Sequence, residues 1–515
     1  MPAPLRRIKA VFFALFLLMA ALMFGGSYYL GREVPTTHKL EFWRSGIPPQ
    51  FDYLASQEPE LVTDVPDGAA VPGDAAQSLI VLLYHGIREQ PTADSVGWQN
   101  FKDQMFILRQ AGYRTVGLAE AEDFLQRGKA LPRKSFLLTF DDGRKDSYYP
   151  VDPILAALGF RAVNFIITST IAEENDFYLS ESELKGMAAS GRWELGSHGD
   201  DIHQSEPIGA AGETGHALSN KLWLPGEARR ESDTEYRQRI TMDLLRSKQT
   251  LEEKLGVAVR AFAYPYGDYG QEENNHPGAQ SDIRKTASAL FHLAFYQSWG
   301  EGLVRNYPGQ DSFMVRRLEV DPEWTAGDLL AAVRGGEDKS PDFFTSMESN
   351  PGWIDGWGDL SFTPGRLRLS AAADTTGATS YLDGTYLWTD FDLTLRARLL
   401  NGESFSILAR VDRNRNFVFC SFGPNGISYG EHVGGGTVDG PGWYTDLSLL
   451  QGLEIQAGIS LRGNTVRCLL NGVWSVETDF LQYTGGNGMI GVSVWGREQG
   501  VGALEVSSLD VRRIE

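Results

Sequence analysis

The sequence predicts an α/β barrel-like unit followed by an all-β sandwich, and three observations carry that prediction. Between Ser78 and about residue 340, short apolar runs alternate with amphipathic helical segments, the signature of a parallel sheet covered by helices. From about Thr345 onward helical periodicity disappears and the runs alternate apolar with polar residues, as half-buried antiparallel strands must. In the first half, the unusual polar residues fall at the ends of the apolar runs, where parallel α/β folds gather their chemistry.

The elements follow in chain order. Arg6, Arg7 and Lys9 precede an apolar run from Ala10 to about Leu30. A run of roughly 20 apolar residues spans a bilayer as a helix, and the basic flank stays in the cytoplasm. Residues 1–30 are expected to form a signal anchor or transmembrane helix, with a cleaved signal peptide as the alternative. Either way the remainder is exported, to the periplasmic face of a bacterial inner membrane or beyond. Residues 31–76 are rich in Pro, Gly, Ala and acidic groups and read as a linker.

Strands are predicted at Leu79–Tyr84, Ser135–Phe140 and Ala162–Ile167, then from Trp193, from Val259 and from Phe291. Helices are predicted over Trp98–Ala111, Pro153–Leu158, Glu181–Ala189, Thr241–Leu255 and Asp282–Ala289. This unit is bounded at 77–340. In the second unit, 345–515, Phe391–Arg398, Ile455–Leu461 and Met489–Trp495 are strands, and Asn401-Gly402, Asn425-Gly426 and Asn471-Gly472 are turns. The only cysteines, Cys420 and Cys468, lie in strand-like runs. They pair if their strands are neighbours; two buried thiols are the simpler expectation.

Charge narrows the partners. Lys+Arg total 47 against 67 Asp+Glu, a formal charge of −20, which argues against a nucleic-acid ligand because phosphates need a basic face. A neutral or cationic glycan is compatible with this charge.

Three strand ends deliver the candidate chemistry: Thr139-Phe-Asp-Asp-Gly143, Gly196-Ser-His-Gly-Asp-Asp-Ile-His203 and Arg260-Ala-Phe-Ala-Tyr-Pro-Tyr-Gly267. One carboxylate with two histidines and an open position is a common catalytic metal set. A second carboxylate beside it suits a general base. Neighbouring aspartates beside histidines fit metal-assisted hydrolysis better than glycoside hydrolysis, which needs two carboxyls flanking one bond. His85, after the first strand, either borders the site or is structural.

At these residues the sequence resembles the polysaccharide deacetylase family, the NodB-homology carbohydrate esterases. The resemblance covers roughly residues 78–335 and implies a distorted (β/α)-barrel of the NodB type. It implies Asp141 as general base and Asp142, His198 and His203 as ligands of a divalent metal, zinc first, with cobalt or nickel as alternatives. It also implies the Tyr266 backbone N–H as an oxyanion donor. Arg260 would orient Asp141, and Pro265, Asp321 and Trp324 would line the substrate groove. The five-residue step from His198 to His203 and the insertion from Trp223 to Arg239 resemble the branch acting on poly-β-1,6-N-acetylglucosamine. The implied partners are an acetylated amino-sugar polysaccharide and the machinery that makes or exports it. Peptidoglycan, chitin or acetylated hemicellulose are alternative substrates, and a non-catalytic glycan-binding protein is the alternative class. The family's late Leu-x-His motif, which supplies a general acid, is missing after Phe313, and His292 is expected to be structural. The sandwich resembles the concanavalin-like, laminin-G-like group, and Trp388, Trp443, Tyr444 and Trp474 are its candidate sugar-stacking residues.

Overall fold

The structure is a computed structural model that describes residues 50–51, 75–171, 176–297, 304–309, 311–412, 414–444 and 451–514. The expected membrane-spanning segment and linker lie outside the described residues.

Seven parallel strands close into a barrel. They are β1 (Leu79–Tyr84), β2 (Ser135–Phe140), β3 (Ala162–Ile166), β4 (Trp193–Ser197), β5 (Ala261–Ala263), β6 (Leu293–Gln297) and β7 (Met314–Glu319). Neighbours pair in sequence order from β1 through β6; β7 pairs with β6 and with β1, which closes the ring. Side chains alternate along each strand. Leu79 and Val81 of β1, Leu137 of β2, Phe165 of β3, Ala263 of β5 and Val315 of β7 meet in one cluster inside the ring. The residues between them, such as Ile80, Leu82, Leu138 and Phe262, belong to the larger cluster packed under the helices.

Those helices are α1 (Trp98–Gln110), α2 (Leu118–Arg127), α3 (Asp152–Leu158), α4 (Glu181–Ala189), α5 (Asp233–Leu255), α6 (Ala279–Leu290) and α7 (Ala326–Gly335). On α1 the buried face is Phe101, Met105 and Leu108, spaced for one side of a helix, each side chain worth about 1.5–3 kcal/mol of burial. The sequence pattern starts α5 at Thr241, but the helix begins at Asp233. Ser232 and Glu235 form a capping box there, and the first two turns are polar, so hydrophobic periodicity does not mark them. Strand β7 was absent from the predicted elements because Arg316, Arg317 and Glu319 interrupt its apolar pattern.

The second unit is two antiparallel sheets, of seven and eight strands, enclosing a separate core. The seven-stranded sheet contains β8 (Trp353–Trp357), β9 (Gly377–Leu382), β10 (Ser404–Val411), β11 (Phe417–Gly423), β12 (Gly426–Val433), β13 (Gly436–Tyr444) and β14 (Met489–Trp495), in spatial order β8-β9-β14-β10-β11-β12-β13. Cys420 of β11 and Cys468, on strand Thr465–Leu470 of the facing sheet, are joined by a disulfide with Cα atoms 5.6 Å apart. This corrects the expectation of two free thiols. The strands are neighbours across the sandwich rather than within a sheet, a relation that alternation alone does not reveal. Trp388 is 3 % exposed and packs in the core, its Nε1–H donating to the Lys339 carbonyl, so it is no sugar platform. The barrel meets this sheet at Tyr307, whose ring stacks on Tyr386 at 4.6 Å.

Candidate active site

Strand periodicity places most of the site. Asp141 continues the inward phase of Leu137 and Thr139, and His198 that of Gly196. His85 continues the phase of Val81 and Leu83, and Arg317 and Glu319 that of Val315. All five therefore lie on the inner phase at the C-terminal mouth of the barrel. Asp142 is out of phase with Asp141. Its backbone is left-handed at φ 74°, as is that of Gly143, and this turn brings its carboxylate to the two histidines. Aspartate tolerates that conformation better than most residues.

His198 Nε2 lies 3.7 Å and His203 Nε2 3.5 Å from Asp142 Oδ1. The three ligand atoms fall within 4.8 Å of one another. His198 Nδ1 is 2.8 Å from the Ala263 carbonyl, which makes Nδ1 the protonated nitrogen and leaves the Nε2 lone pair facing Asp142. The loop between the histidines is held from α5: Asp243 accepts from the N–H groups of Asp200 and Asp201 at 2.9 and 2.8 Å. Asp200 in turn takes Thr168 at 2.6 Å and Arg246 at 3.0 Å.

The donor set fits a divalent cation. Asp142 Oδ1 is buried without a protein hydrogen-bond partner. Burial pushes its carboxyl up to about 6 and pushes His198 down to about 3, and burial also lowers His203. An orphaned carboxylate oxygen beside two neutral imidazoles is what a cation would satisfy.

Asp141 is held differently. Its two oxygens accept from the guanidinium of Arg317 at 2.6 and 2.7 Å, a fully buried bidentate pair. Burial pushes the Asp141 carboxyl up, but Arg317 and His198 override this and hold it at about 2. The expected partner, Arg260, is elsewhere: it precedes β5, is 45 % exposed and bonds Glu122 at 3.1 Å at the opposite end of the barrel. The third motif's arginine stands ahead of its strand, so it cannot reach the mouth. His292 also bonds Glu122, at 3.0 Å, as a structural histidine should.

Sequence reasoning missed Arg317 and Glu319 and left His85 open. His85 Nδ1 lies 3.7 Å from Glu319 Oε1, and the imidazole is close enough to both aspartates to act on them electrostatically. The available signal was two arginines and a glutamate in an otherwise apolar strand.

The third motif forms a tight turn with Tyr266 at φ 60° and Gly267 at φ 68°. A Cβ on Gly267 would meet Gln297 at 3.0 Å. The turn's own bonds run from Gly267 N–H to Tyr264 and from Asp268 N–H to Pro265, so neither uses the Tyr266 N–H. The Tyr266 ring lies between His203 at 4.6 Å and His216 at 4.4 Å, stacked on the latter with the two planes within 12° of parallel. His216 comes from the small hairpin after the histidine loop and is anchored to buried Asp268 at 2.7 Å. Pro265 is buried in the turn. Asp321 and Trp324 follow β7 on the same rim. Asp321 is exposed, while Trp324 packs partly against the barrel core.

Fold and site together define a parallel α/β barrel with a candidate aspartate–histidine–histidine cation site beside an arginine-held aspartate. Residues 128–276 match the family model described as polysaccharide deacetylase. A poly-β-1,6-N-acetyl-D-glucosamine N-deacetylase of Escherichia coli (strain K12) is 27 % identical over 205 residues, which is 37 % of this chain and 30 % of that protein. The enzyme of the same name from Staphylococcus aureus (strain MSSA476) is 30 % identical over 176 residues, 34 % of this chain and 54 % of that protein. The chain thus spans about a third to a half of the length of these curated relatives. Among solved structures, IcaB from Ammonifex degensii is 27 % identical, covers 50 % of this chain and 98 % of its own, and has a TM-score of 0.39.

Proposed function

We propose that the protein is a metal-dependent N-deacetylase of an N-acetylhexosamine polysaccharide resembling poly-β-1,6-N-acetylglucosamine. The observation that carries this reading is the convergence of Asp142, His198 and His203 beside the Arg317-held Asp141. Asp142, His198 and His203 would hold the ion, with zinc favoured by the mixed nitrogen and oxygen set and cobalt or nickel compatible with it. When bound there, the ion supplies Lewis acidity toward an amide carbonyl and makes a water molecule a stronger acid.

The chain's own groups do the rest. Asp141, kept ionised by Arg317, takes the proton of the attacking water. The Tyr266 N–H, turned out by its left-handed backbone, donates to the carbonyl oxygen as negative charge develops there. His85, backed by Glu319, gives a proton to the departing nitrogen, filling the place of the missing Leu-x-His histidine. The C–N bond breaks, acetate leaves, and the sugar retains a free amine that is protonated near neutral pH. Pro265, Asp321 and Trp324 would border the groove.

The site belongs outside the cytoplasm on this reading. The Cys420–Cys468 disulfide suits an oxidising compartment, and the apolar run after Arg6, Arg7 and Lys9 suits a membrane anchor facing the export machinery.

The test is acetate release from partly acetylated poly-β-1,6-glucosamine oligomers by the full-length protein, before and after chelation and with Zn²⁺ or Co²⁺ restored. Metal-dependent release, lost in Asp141→Asn and His198→Ala, is expected. Release from chitin or peptidoglycan fragments alone would replace the substrate assignment, and none from any of them with metal bound would end the enzymatic reading.

A further inference from the structure

The seven-stranded sheet of the sandwich carries an uncommon row of residues on its outer face. Reading across the strands by register, Trp357 of β8 pairs with Thr379 of β9, and Thr379 with Ser493 of β14. Ser493 pairs with Ser406 of β10, that with Ser421 of β11, that with Ser428 of β12, and Ser428 with Gly442 of β13. The residues flanking this row, such as Ala378, Val494, Ile407, Cys420 and Ile427, point into the sandwich core, so the row faces outward. Five hydroxyl side chains in adjacent register thus cross five strands, spanning about 19 Å at the usual strand spacing of roughly 4.8 Å.

Thr379, Ser406 and Ser493 are only 6, 4 and 3 % exposed. Among the described residues no side-chain hydrogen bond is made by any of the five hydroxyls. None of the five hydroxyl oxygens is among the buried polar atoms left without a partner, so each is reachable from solvent on the outer face and free to exchange hydrogen bonds with a ligand. Aromatic rings stand at both ends. Trp357 and Trp495 face each other at 5.2 Å beside Gly377, and Trp495 is 45 % exposed. At the other end the Tyr444 ring, 73 % exposed, lies where a Cβ on Gly442 would be. Along one side the trough is bounded by Tyr381, Leu408 and Phe419, the cluster through which the barrel's Tyr307 meets this sheet.

We propose that this trough binds an uncharged stretch of polysaccharide, the still-acetylated form of the polymer assigned to the barrel. The identity of that polymer rests on the functional reading above; the trough does not. Its row offers hydroxyls to exchange hydrogen bonds with sugar hydroxyls and acetamido groups, and its end rings offer flat apolar surfaces to pyranose faces. None of its seven positions carries a charge. A free amine laid there would lose water and find no carboxylate in the row, so the deacetylated product is held less well than the substrate. Continuity with the barrel junction keeps bound polymer beside the catalytic unit, raising its local concentration.

The test is affinity electrophoresis of the full-length protein through gels containing acetylated poly-β-1,6-N-acetylglucosamine or its chemically deacetylated counterpart. Acetate release from a short acetylated tetrasaccharide is measured alongside. Trp495→Ala and Tyr444→Ala remove an exposed platform each, and Ser421→Gln with Ser428→Gln fills the half-buried part of the row. Each is expected to weaken retention by acetylated polymer about tenfold, the scale of one lost stacking contact, while tetrasaccharide turnover stays within twofold. The unaltered protein is expected to be retained less by the deacetylated polymer. Retention unchanged in the two platform variants, with thermal unfolding intact, would overturn the proposal. So would self-association lost in Trp495→Ala with retention preserved, since the occupant would then be a second copy. A failed barrel assignment would instead appear as no acetate release with retention still sensitive to these substitutions.

Discussion

Replacing Arg317 by methionine isolates the contribution of the arginine that sequence reading did not find. The side chain is fully buried and gives both terminal nitrogens to Asp141. Removing one partner of a buried, hydrogen-bonded ion pair costs about 3–5 kcal/mol, because the other charge is left without its counterion. For a unit of this size that lowers the midpoint of thermal unfolding by roughly 10 °C. Catalysis is expected to fall further than stability explains: loss of a positioned general base costs about 10²–10⁴ in kcat. The assay is initial-rate acetate release well below the new unfolding midpoint, beside Asp141→Leu and the double variant. Two apolar side chains in place of the pair are expected to recover most of the lost stability and none of the activity. Arg317→Met within threefold of the unaltered kcat would refute the argument that this guanidinium prepares Asp141.

Other substitutions separate neighbouring claims. Arg260→Ala is expected to leave kcat within twofold and to cost at most about 1 kcal/mol in chemical denaturation, because its bond to Glu122 is half-exposed and lies at the far end of the barrel. His216→Phe keeps a flat ring against Tyr266 but loses the Asp268 bond, whereas His216→Ala loses both. If the stack fixes the oxyanion turn, alanine lowers kcat about tenfold and phenylalanine restores most of it, with KM little changed in either. In the sandwich, buried Glu431 accepts from Tyr429 and from the consecutive N–H groups of Leu481, Gln482 and Tyr483. Burial pushes its carboxyl up, but these four donors prevail and hold it below the ordinary value. Its stabilisation is therefore complete above about pH 4.3 and lost as pH falls through the lower folded value. Glu431→Gln is expected to cost about 2–4 kcal/mol at pH 7, a penalty that shrinks in acid, read by denaturant unfolding of the sandwich signal at several pH values. A penalty independent of pH would exclude the carboxylate as its source.

The cluster of candidate ligands was legible in the sequence because it lies in short segments that follow recognisable strands. Asp142, His198 and His203 each stand within a few residues of an apolar run. Arg317 was hidden for the opposite reason. Its strand pairs with β1, more than two hundred residues earlier, and its charged residues obscured the strand that would have placed it. Arg260 illustrates the complementary error: motif membership suggested a role, but the residue precedes its strand and is carried to the wrong end of the barrel. Phase along the strands would have corrected both, since Val315, Arg317 and Glu319 share one face. The bond between Cys420 and Cys468 depends on how two sheets face each other, which strand patterns do not encode. Trp388 looked like a loop aromatic and proved to be core because its indole N–H has a buried carbonyl to meet.

The closing of the ring by its last strand gives the chain a built-in order of competence. During synthesis the three candidate ligands and the proposed base emerge by His203, and the proposed oxyanion turn by Gly267, yet the arginine that holds Asp141 arrives only at residue 317. Until β7 slots between β6 and β1, the nascent barrel has an open seam and an unpaired carboxylate at its mouth. A fragment cut at the boundaries of the family match, residues 128–276, would contain every candidate metal ligand but neither Arg317 nor His85. Such a fragment is expected to be catalytically silent, so acetate release doubles as a report that the seam has closed.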